Sequence, residues 1–101
     1  EAIVAYVRAK ANSINSNVET LNYLFENRVE AIEFRVNTAS DATGTALKLL
    51  KPKMKKDILI AFINRNGRIL IPSGNDSIEV GDSVMIVTKH TGFDDIRDIL
   101  A

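Results

Sequence analysis

The chain has 101 residues, of which 46% are hydrophobic and 26% charged, the composition of an ordinary globular domain. Lys plus Arg number 13 and Asp plus Glu also 13, so no global field would hold nucleic acid, and any electrostatic function has to be local. Cysteine is absent, which excludes a disulfide framework, a thiolate metal site and a thiol nucleophile. The longest apolar run is about six residues, far below the roughly 20 that span a bilayer, so we expect no direct membrane insertion.

The first residues of the chain have the spacing of an amphipathic helix. Apolar side chains recur every three or four positions, which predicts a short helix over residues 1–11. The Asn- and Ser-rich stretch 12–17 interrupts this pattern and is typical of a linker. Because the chain starts at Glu1 inside a helical pattern, we expect residues 1–17 to be a linker helix and loop that follow a preceding domain. Residues 18–101 then form the domain itself.

Two strands and a helix are predicted in the first half of that domain. Residues 18–25 suit either a strand or a short helix, and we favour a strand. Residues 29–36 alternate apolar and charged side chains with one irregularity, which predicts a strand. Asp41 or Thr43 is placed to cap a following helix of about two turns, and Pro52 would end it.

A hairpin dominates the second half. Ile58–Ile63 is apolar throughout; an unbroken strand there would place Ile58, Ile60 and Phe62 on one face, with both faces needing cover. Asn66-Gly67 supplies the two positive-φ residues of a tight turn, after which Ile69–Ile71 returns antiparallel.

Another buried strand and a terminal helix complete the domain. Val84–Val87 has the pattern of a buried strand. Thr91 and Asp94 resemble a capping box for the terminal helix. These elements together predict an α+β, two-layer sandwich whose mostly antiparallel sheet carries short helices on one face and follows the linker helix.

Most candidate chemistry has a simpler explanation. No glycine-rich phosphate cradle is present, and His90 is the only histidine, so a zinc site would need almost only carboxylates. A triad of Ser83, His90 and Asp82 can be written, but no nucleophile elbow accompanies Ser83. Glu30 and Glu33 would lie on opposite faces of a strand, which argues against paired acid and base catalysis. We therefore expect no enzyme activity.

Two charged clusters can each be explained in two ways. The carboxylates of Asp94, Asp95 and Asp98 could chelate a hard cation, although the first turn of a helix favours such residues anyway. The lysines between positions 48 and 56 could face phosphate or lipid headgroups; a solvated helix C-terminus and loop is the more common explanation.

The rim of the hairpin is the strongest candidate for a ligand site. Arg65 beside a tight turn offers a planar anion-binding fork, and nearby apolar side chains offer a surface on which a base could stack. An exposed turn arginine on an ordinary sheet edge is the competing interpretation.

The hairpin also carries a family resemblance. Leu59–Gly74, followed by Ile78–Val84, closely resembles the C-terminal (RCK C-terminal, TrkA-C) domain of Trk-type potassium uptake regulators. The resemblance covers about residues 18–101, and residues 1–11 resemble the helix that links a preceding nucleotide-binding domain. Upstream segments fit the same domain's first strand and helix entry: Val29–Phe34 and Thr43–Leu47.

The resemblance implies a cytoplasmic regulatory and dimerisation domain, at the inner face of the plasma membrane, that gates a potassium transporter subunit through the parent protein. It implies a homodimer, no cofactor in this fragment, and NAD(H) or an adenine nucleotide in the missing preceding domain. Some members bind cyclic di-AMP between subunits, so the alternative is a cyclic di-AMP sensor domain of an antiporter or transcriptional regulator. Carried over by position, the residues lining such a pocket are Ile63, Asn64, Arg65, Asn66, Ile71 and Pro72, with Arg65 as the phosphate partner.

Overall fold

The protein is built on one antiparallel sheet. The computed structural model describes the backbone of residues 5–7 and 16–24 and all atoms of residues 29–101. Neighbouring strands lie in the order β1-β2-β3-β6-β4-β5, and every pair is antiparallel. The strands are β1 (Ala5–Val7), β2 (Ser16–Leu24), β3 (Val29–Val36), β4 (Ile58–Arg65), β5 (Arg68–Leu70) and β6 (Ser83–Thr88).

Short helices and loops cover one face of this sheet. They are α1 (Leu47–Leu50), a first 3₁₀ helix (Lys51–Lys53) and a second 3₁₀ helix (Ile96–Ile99). The core lies between the two layers and is formed by side chains that are almost completely buried: Ile32, Phe34, Val36, Ala42, Leu50, Ile63, Ile78, Val84, Ile86, Phe93, Ile96 and Ile99. The predicted two-layer α+β sandwich is confirmed.

The predicted hairpin is present between β4 and β5. Asn66 has a φ of 54° and Gly67 a φ of 81°, the left-handed conformations that a tight two-residue loop requires. The returning strand begins at Arg68, one residue earlier than predicted.

The side-chain alternation within β4 differs from the prediction. Ile60 pairs with Ile86 and Phe62 pairs with Met85, so Ala61 is an extra residue in a β-bulge. The bulge shifts the alternation by one position, and Ile63 therefore joins Ile58 and Ile60 on the covered face. Phe62 lies on the opposite, outer face, where an unbroken strand would have placed Ile63.

The predicted helices are shorter than their sequence patterns suggested. Neither Asp41 nor Thr43 caps α1, which begins only after Ala46 and has no side-chain cap. Instead Thr43 closes a local turn, where its Oγ1 accepts from the backbone N–H of Ser40. The α-helix ends at Leu50, shortly before Pro52 as predicted, and Pro52 itself lies in the first turn of the first 3₁₀ helix, where proline is tolerated.

The predicted linker helix falls largely outside the described residues. The part that is described, Ala5–Val7, is a β-strand that pairs with β2. The favoured strand over residues 18–25 is confirmed as β2, which starts at Ser16. The proposed domain boundary near residue 17 stays a prediction.

Candidate functional site

The six residues predicted to line a pocket at the hairpin differ in their exposure and in the face of the sheet on which they lie. Ile63 is completely buried on the covered face, whereas Asn64 pairs with Ile69 and Ser83 and so lies on the outer face. Asn66 is exposed at the turn, Ile71 is 77% exposed and Pro72 is half-buried beyond β5. The six residues follow one another along the hairpin with different exposures, and their role in lining a ligand pocket stays a prediction.

Arg65 is held by the protein itself. Its Nε donates to Oδ1 of Asp82 at 2.9 Å and its Nη2 to Oδ2 at 2.8 Å, the two parallel bonds of a bidentate pair. Nη2 also donates to the carbonyl oxygen of Ser77 at 2.8 Å. Asp82 is 1% exposed, and its Oδ2 accepts in addition from the backbone N–H of Glu79. These bonds join the hairpin to the turn that precedes β6.

This pairing limits what Arg65 can offer to a ligand. The hydrogen bond to Asp82 is the largest cause that raises the pKa of Arg65 above its ordinary value, so the guanidinium stays charged. Its charge is nevertheless balanced by a buried carboxylate, and a bound anion would meet chiefly the remaining nitrogen, Nη1. The phosphate-binding role of Arg65 stays a prediction, and the structure gives this residue a structural role that the sequence did not indicate.

Asp82 and His90, two residues of the triad considered in the sequence, bind different partners. Asp82 binds Arg65, while Nε2 of His90 lies 2.7 Å from the carbonyl oxygen of Lys56. The His90 ring also stacks on Phe93 with centroids 5.6 Å apart. His90 therefore joins the loop before β4 to the segment after β6, as a structural residue.

The acidic cluster near the C-terminus acts as a helix cap. Asp95, not Thr91, is the N-cap of the second 3₁₀ helix, and its Oδ1 accepts from the backbone N–H of Arg97 at 2.9 Å. Asp98, not Asp94, completes the box by accepting from the backbone N–H of Asp95 at 3.2 Å. Among the described residues no group of three or more acidic or histidine side chains is arranged to hold a metal ion.

Glu30 is a buried carboxylate on the covered face of β3. It is 4% exposed and pairs across the sheet with Thr88, whereas Glu33 lies on the outer face opposite Met85. Burial raises the pKa of Glu30, because removal from water disfavours the charged carboxylate. The predicted placement of the two glutamates on opposite faces is confirmed.

The outer face of the sheet carries an apolar patch beside the polar side chains of Glu33 and Asn64, and no described helix covers it. Cross-strand pairing brings its side chains together: Ala31 with Val87 and Leu59 on one row, and Met85 with Phe62 on the next. These side chains are only partly buried, and Leu59 is 61% exposed. Folded domains seldom expose a contiguous apolar patch unless a partner binds to it. This outer face is therefore the best candidate for an interaction site.

One family model matches most of the sequence that forms this domain. The model of the family described as the TrkA-C domain matches residues 31–101. The chain belongs to the TrkA-C domain family.

Two relatives support this assignment. A Trk system potassium uptake protein TrkA homolog from Archaeoglobus fulgidus is 38% identical over 72 residues, which are 71% of this chain and 16% of that protein. A TrkA homolog from Pyrococcus abyssi, also described as a Trk system potassium uptake protein, is 31% identical over 71 residues, which are 70% of this chain and 31% of that protein. The chain thus spans less than a third of either relative. Within its described residues, no helix is long and apolar enough to cross a membrane.

Proposed function

We propose that this TrkA-C domain is a non-catalytic regulatory domain of a Trk- or Ktr-type potassium uptake system. It forms a homodimer through the outer face of its sheet and passes the ligand state of the parent protein to a membrane potassium transporter subunit. The relatives' description as potassium uptake proteins supports the transport system. The parent protein works in the cytoplasm at the inner face of the plasma membrane, with NAD(H) or an adenine nucleotide in its preceding domain.

The apolar patch on the outer face is the observation that supports the proposed dimer. The core occupies the opposite face of the same strands, so the side chains around Leu59 and Phe62 do not contribute to it. The central strands β3, β6 and β4 present these side chains on one face, and a two-fold pairing of two such sheets would bury the apolar patch of both copies at once. Full burial of an exposed leucine stabilises by about 1.5–3 kcal/mol, so a few such side chains outweigh much of the cost of association.

A cyclic di-AMP sensor in an antiporter or a transcriptional regulator is the less favoured alternative. Both relatives are potassium uptake proteins by name, and Arg65 is already paired with Asp82. In the proposed transport regulator, a cyclic dinucleotide would bind where two hairpins meet in a dimer.

Two measurements test this proposal. Sedimentation at about 100 μM, a concentration that populates even weak dimers, should show a dimer, and a monomer would contradict the dimer. Calorimetry with cyclic di-AMP separates ligand binding from dimerisation: heat at micromolar ligand would show that the domain binds this nucleotide, whereas no heat leaves a dimerisation domain alone.

A further inference from the structure

A second feature is a cavity beside α1, which shares Leu59 with the outer face but none of the other side chains named there. It measures about 530 Å³, within the range of small-molecule sites, and opens between α1, the first 3₁₀ helix, the start of β4 and the loop after β5. Its apolar wall is formed by Leu47, Met54, Ile58, Leu59, Ile60 and Pro72. Four of these residues, Leu47, Met54, Ile58 and Ile60, also pack against the core, which makes this wall part of the folded body.

The polar side of the cavity is strongly basic. Lys48, Lys51, Lys55 and Lys56 all line it, and Asp57 is the only carboxylate among the described residues that do so. The side chains of Lys48, Lys51 and Lys56 are exposed and form no ion pair with any residue in the described part of the chain. The ammonium group of Lys55 lies 5.1 Å from the centroid of the Phe93 ring. A positive field therefore surrounds an apolar surface.

Backbone hydrogen bonds hold the walls of this cavity in place without a ligand. On one side, the N–H of Lys48 donates to the carbonyl oxygen of Gly74 at 2.9 Å. A Cβ at Gly74 would lie 3.1 Å from Cβ of Lys48, so this close contact between α1 and the loop favours glycine. On the other side, the N–H of Lys55 donates to the carbonyl oxygen of Ile99 at 2.7 Å. A preformed cavity of this kind binds without a large ordering cost.

We propose that this cavity binds an organic phosphate, with the phosphate among the lysines and an apolar group of the ligand against Leu47, Met54 and Ile60. Lysines are common at a helix C-terminus, where they interact favourably with the helix dipole. That interaction accounts for the positive charge but not for the apolar cavity beside the lysines. A phosphate fits because the lysine ammonium groups are compact positive charges that donate hydrogen bonds to phosphate oxygens. The ligand is either a soluble organic phosphate or the headgroup of an anionic phospholipid.

Amide and methyl NMR titration of the protein with phenyl phosphate tests the site directly. We expect shifts at Leu47, Met54 and Ile58 that saturate, and a weaker response to inorganic phosphate, which lacks the apolar group. Replacing Lys48, Lys51 and Lys56 together by Gln should weaken binding at least about tenfold, since each exposed ion pair contributes modestly. Asp57→Asn should tighten binding, because it removes the carboxylate that repels the anion.

Lys53→Gln is the matched control. Lys53 lies in the same basic segment but lines a different cavity, with Ser40 and Thr43, so its removal should leave phenyl phosphate binding unchanged. Equal weakening by Lys53→Gln and Lys51→Gln, or the absence of shifts at Leu47 and Met54, would overturn the site in favour of a diffuse basic surface. The lysine substitutions leave Leu59 and the rest of the outer face unchanged, so neither result bears on the proposed dimer.

Vesicles distinguish the two sources of the phosphate. Co-sedimentation with phosphatidylglycerol vesicles, but not with phosphatidylcholine vesicles, that is lost in the triple lysine variant and retained by Lys53→Gln would assign the site to lipid headgroups. Phenyl phosphate binding without vesicle binding would assign it to a soluble ligand. Failure of both would contradict the proposal.

Discussion

The guanidinium of Arg65 and the carboxylate of Asp82 form two parallel hydrogen bonds of 2.9 and 2.8 Å that join the β4–β5 hairpin to the turn before β6. The same turn donates the N–H of Glu79 to Asp82 at 2.8 Å. Asp82 thus collects donors from two separate segments at a buried position, and the pair fixes how the hairpin lies relative to the rest of the sheet.

Arg65→Met should destabilise the protein strongly. It leaves the carboxylate of Asp82 buried with no cation, and breaking a buried pair by removing one partner costs about 3–5 kcal/mol. Because the Arg65 side chain is 35% exposed, water can reach part of the site, and we expect about 2–3 kcal/mol. Urea denaturation monitored by circular dichroism measures the free energy of unfolding.

Arg68→Met is the control for this variant. Arg68 pairs with Arg65 across the hairpin but is exposed, so its loss should change the free energy of unfolding by less than about 0.5 kcal/mol. Equal effects of the two substitutions would contradict the structural role of Arg65. If Arg65→Met is strongly destabilised, a loss of ligand binding by an Arg65 variant would reflect unfolding and would not show a direct contact with the ligand.

Glu30→Gln should stabilise the protein at neutral pH. Burial raises the pKa of Glu30 above 4.5, so the folded state favours the protonated form and loses stability as pH rises from about 4.5 through the raised pKa. The variant cannot ionise and escapes this loss. We expect similar melting temperatures for both proteins near pH 4 and a higher one for the variant near pH 8. Glu33→Gln, on the outer face, is the matched control, and an identical pH profile for all three proteins would refute the assignment.

Asp95→Ala should destabilise the C-terminal segment, whereas Thr91→Ala should not. Asp95 caps the second 3₁₀ helix by accepting from the N–H of Arg97, and loss of such a cap costs about 1 kcal/mol. Thr91 is exposed and is not the N-cap, although the sequence pattern points to it. Chemical denaturation of both variants checks the difference. A larger loss for Thr91→Ala would show that the cap lies where the sequence pattern placed it.

The local signals in the sequence determined the turns and most strands. Asn66 and Gly67 specify positive φ values chemically, so the hairpin was predictable. The apolar alternation of residues 29–36 and the apolar run of residues 84–87 likewise predicted β3 and β6. In each case the information lies within a few neighbouring residues.

What could not be predicted depends on contacts between distant segments. The bulge at Ala61 is invisible because all residues of Ile58–Ile63 are apolar, so either face assignment satisfies the sequence pattern. The start of α1 is set by the loop after β5, where the N–H of Leu47 donates to the carbonyl oxygen of Asp76 instead of to a side-chain cap. The Arg65 to Asp82 pair spans 17 positions and has no local signature.

We propose that two copies of this domain associate through the outer face of the sheet. Leu59 and Leu49 provide a matched pair of substitutions, because they are 61% and 60% exposed but only Leu59 lies on that face. The direct test is sedimentation equilibrium of Leu59→Asp and Leu49→Asp beside the unchanged protein. We predict a monomer for Leu59→Asp and a dimer for the other two proteins. A dimer that persists in Leu59→Asp, or is lost only in Leu49→Asp, would contradict this proposal.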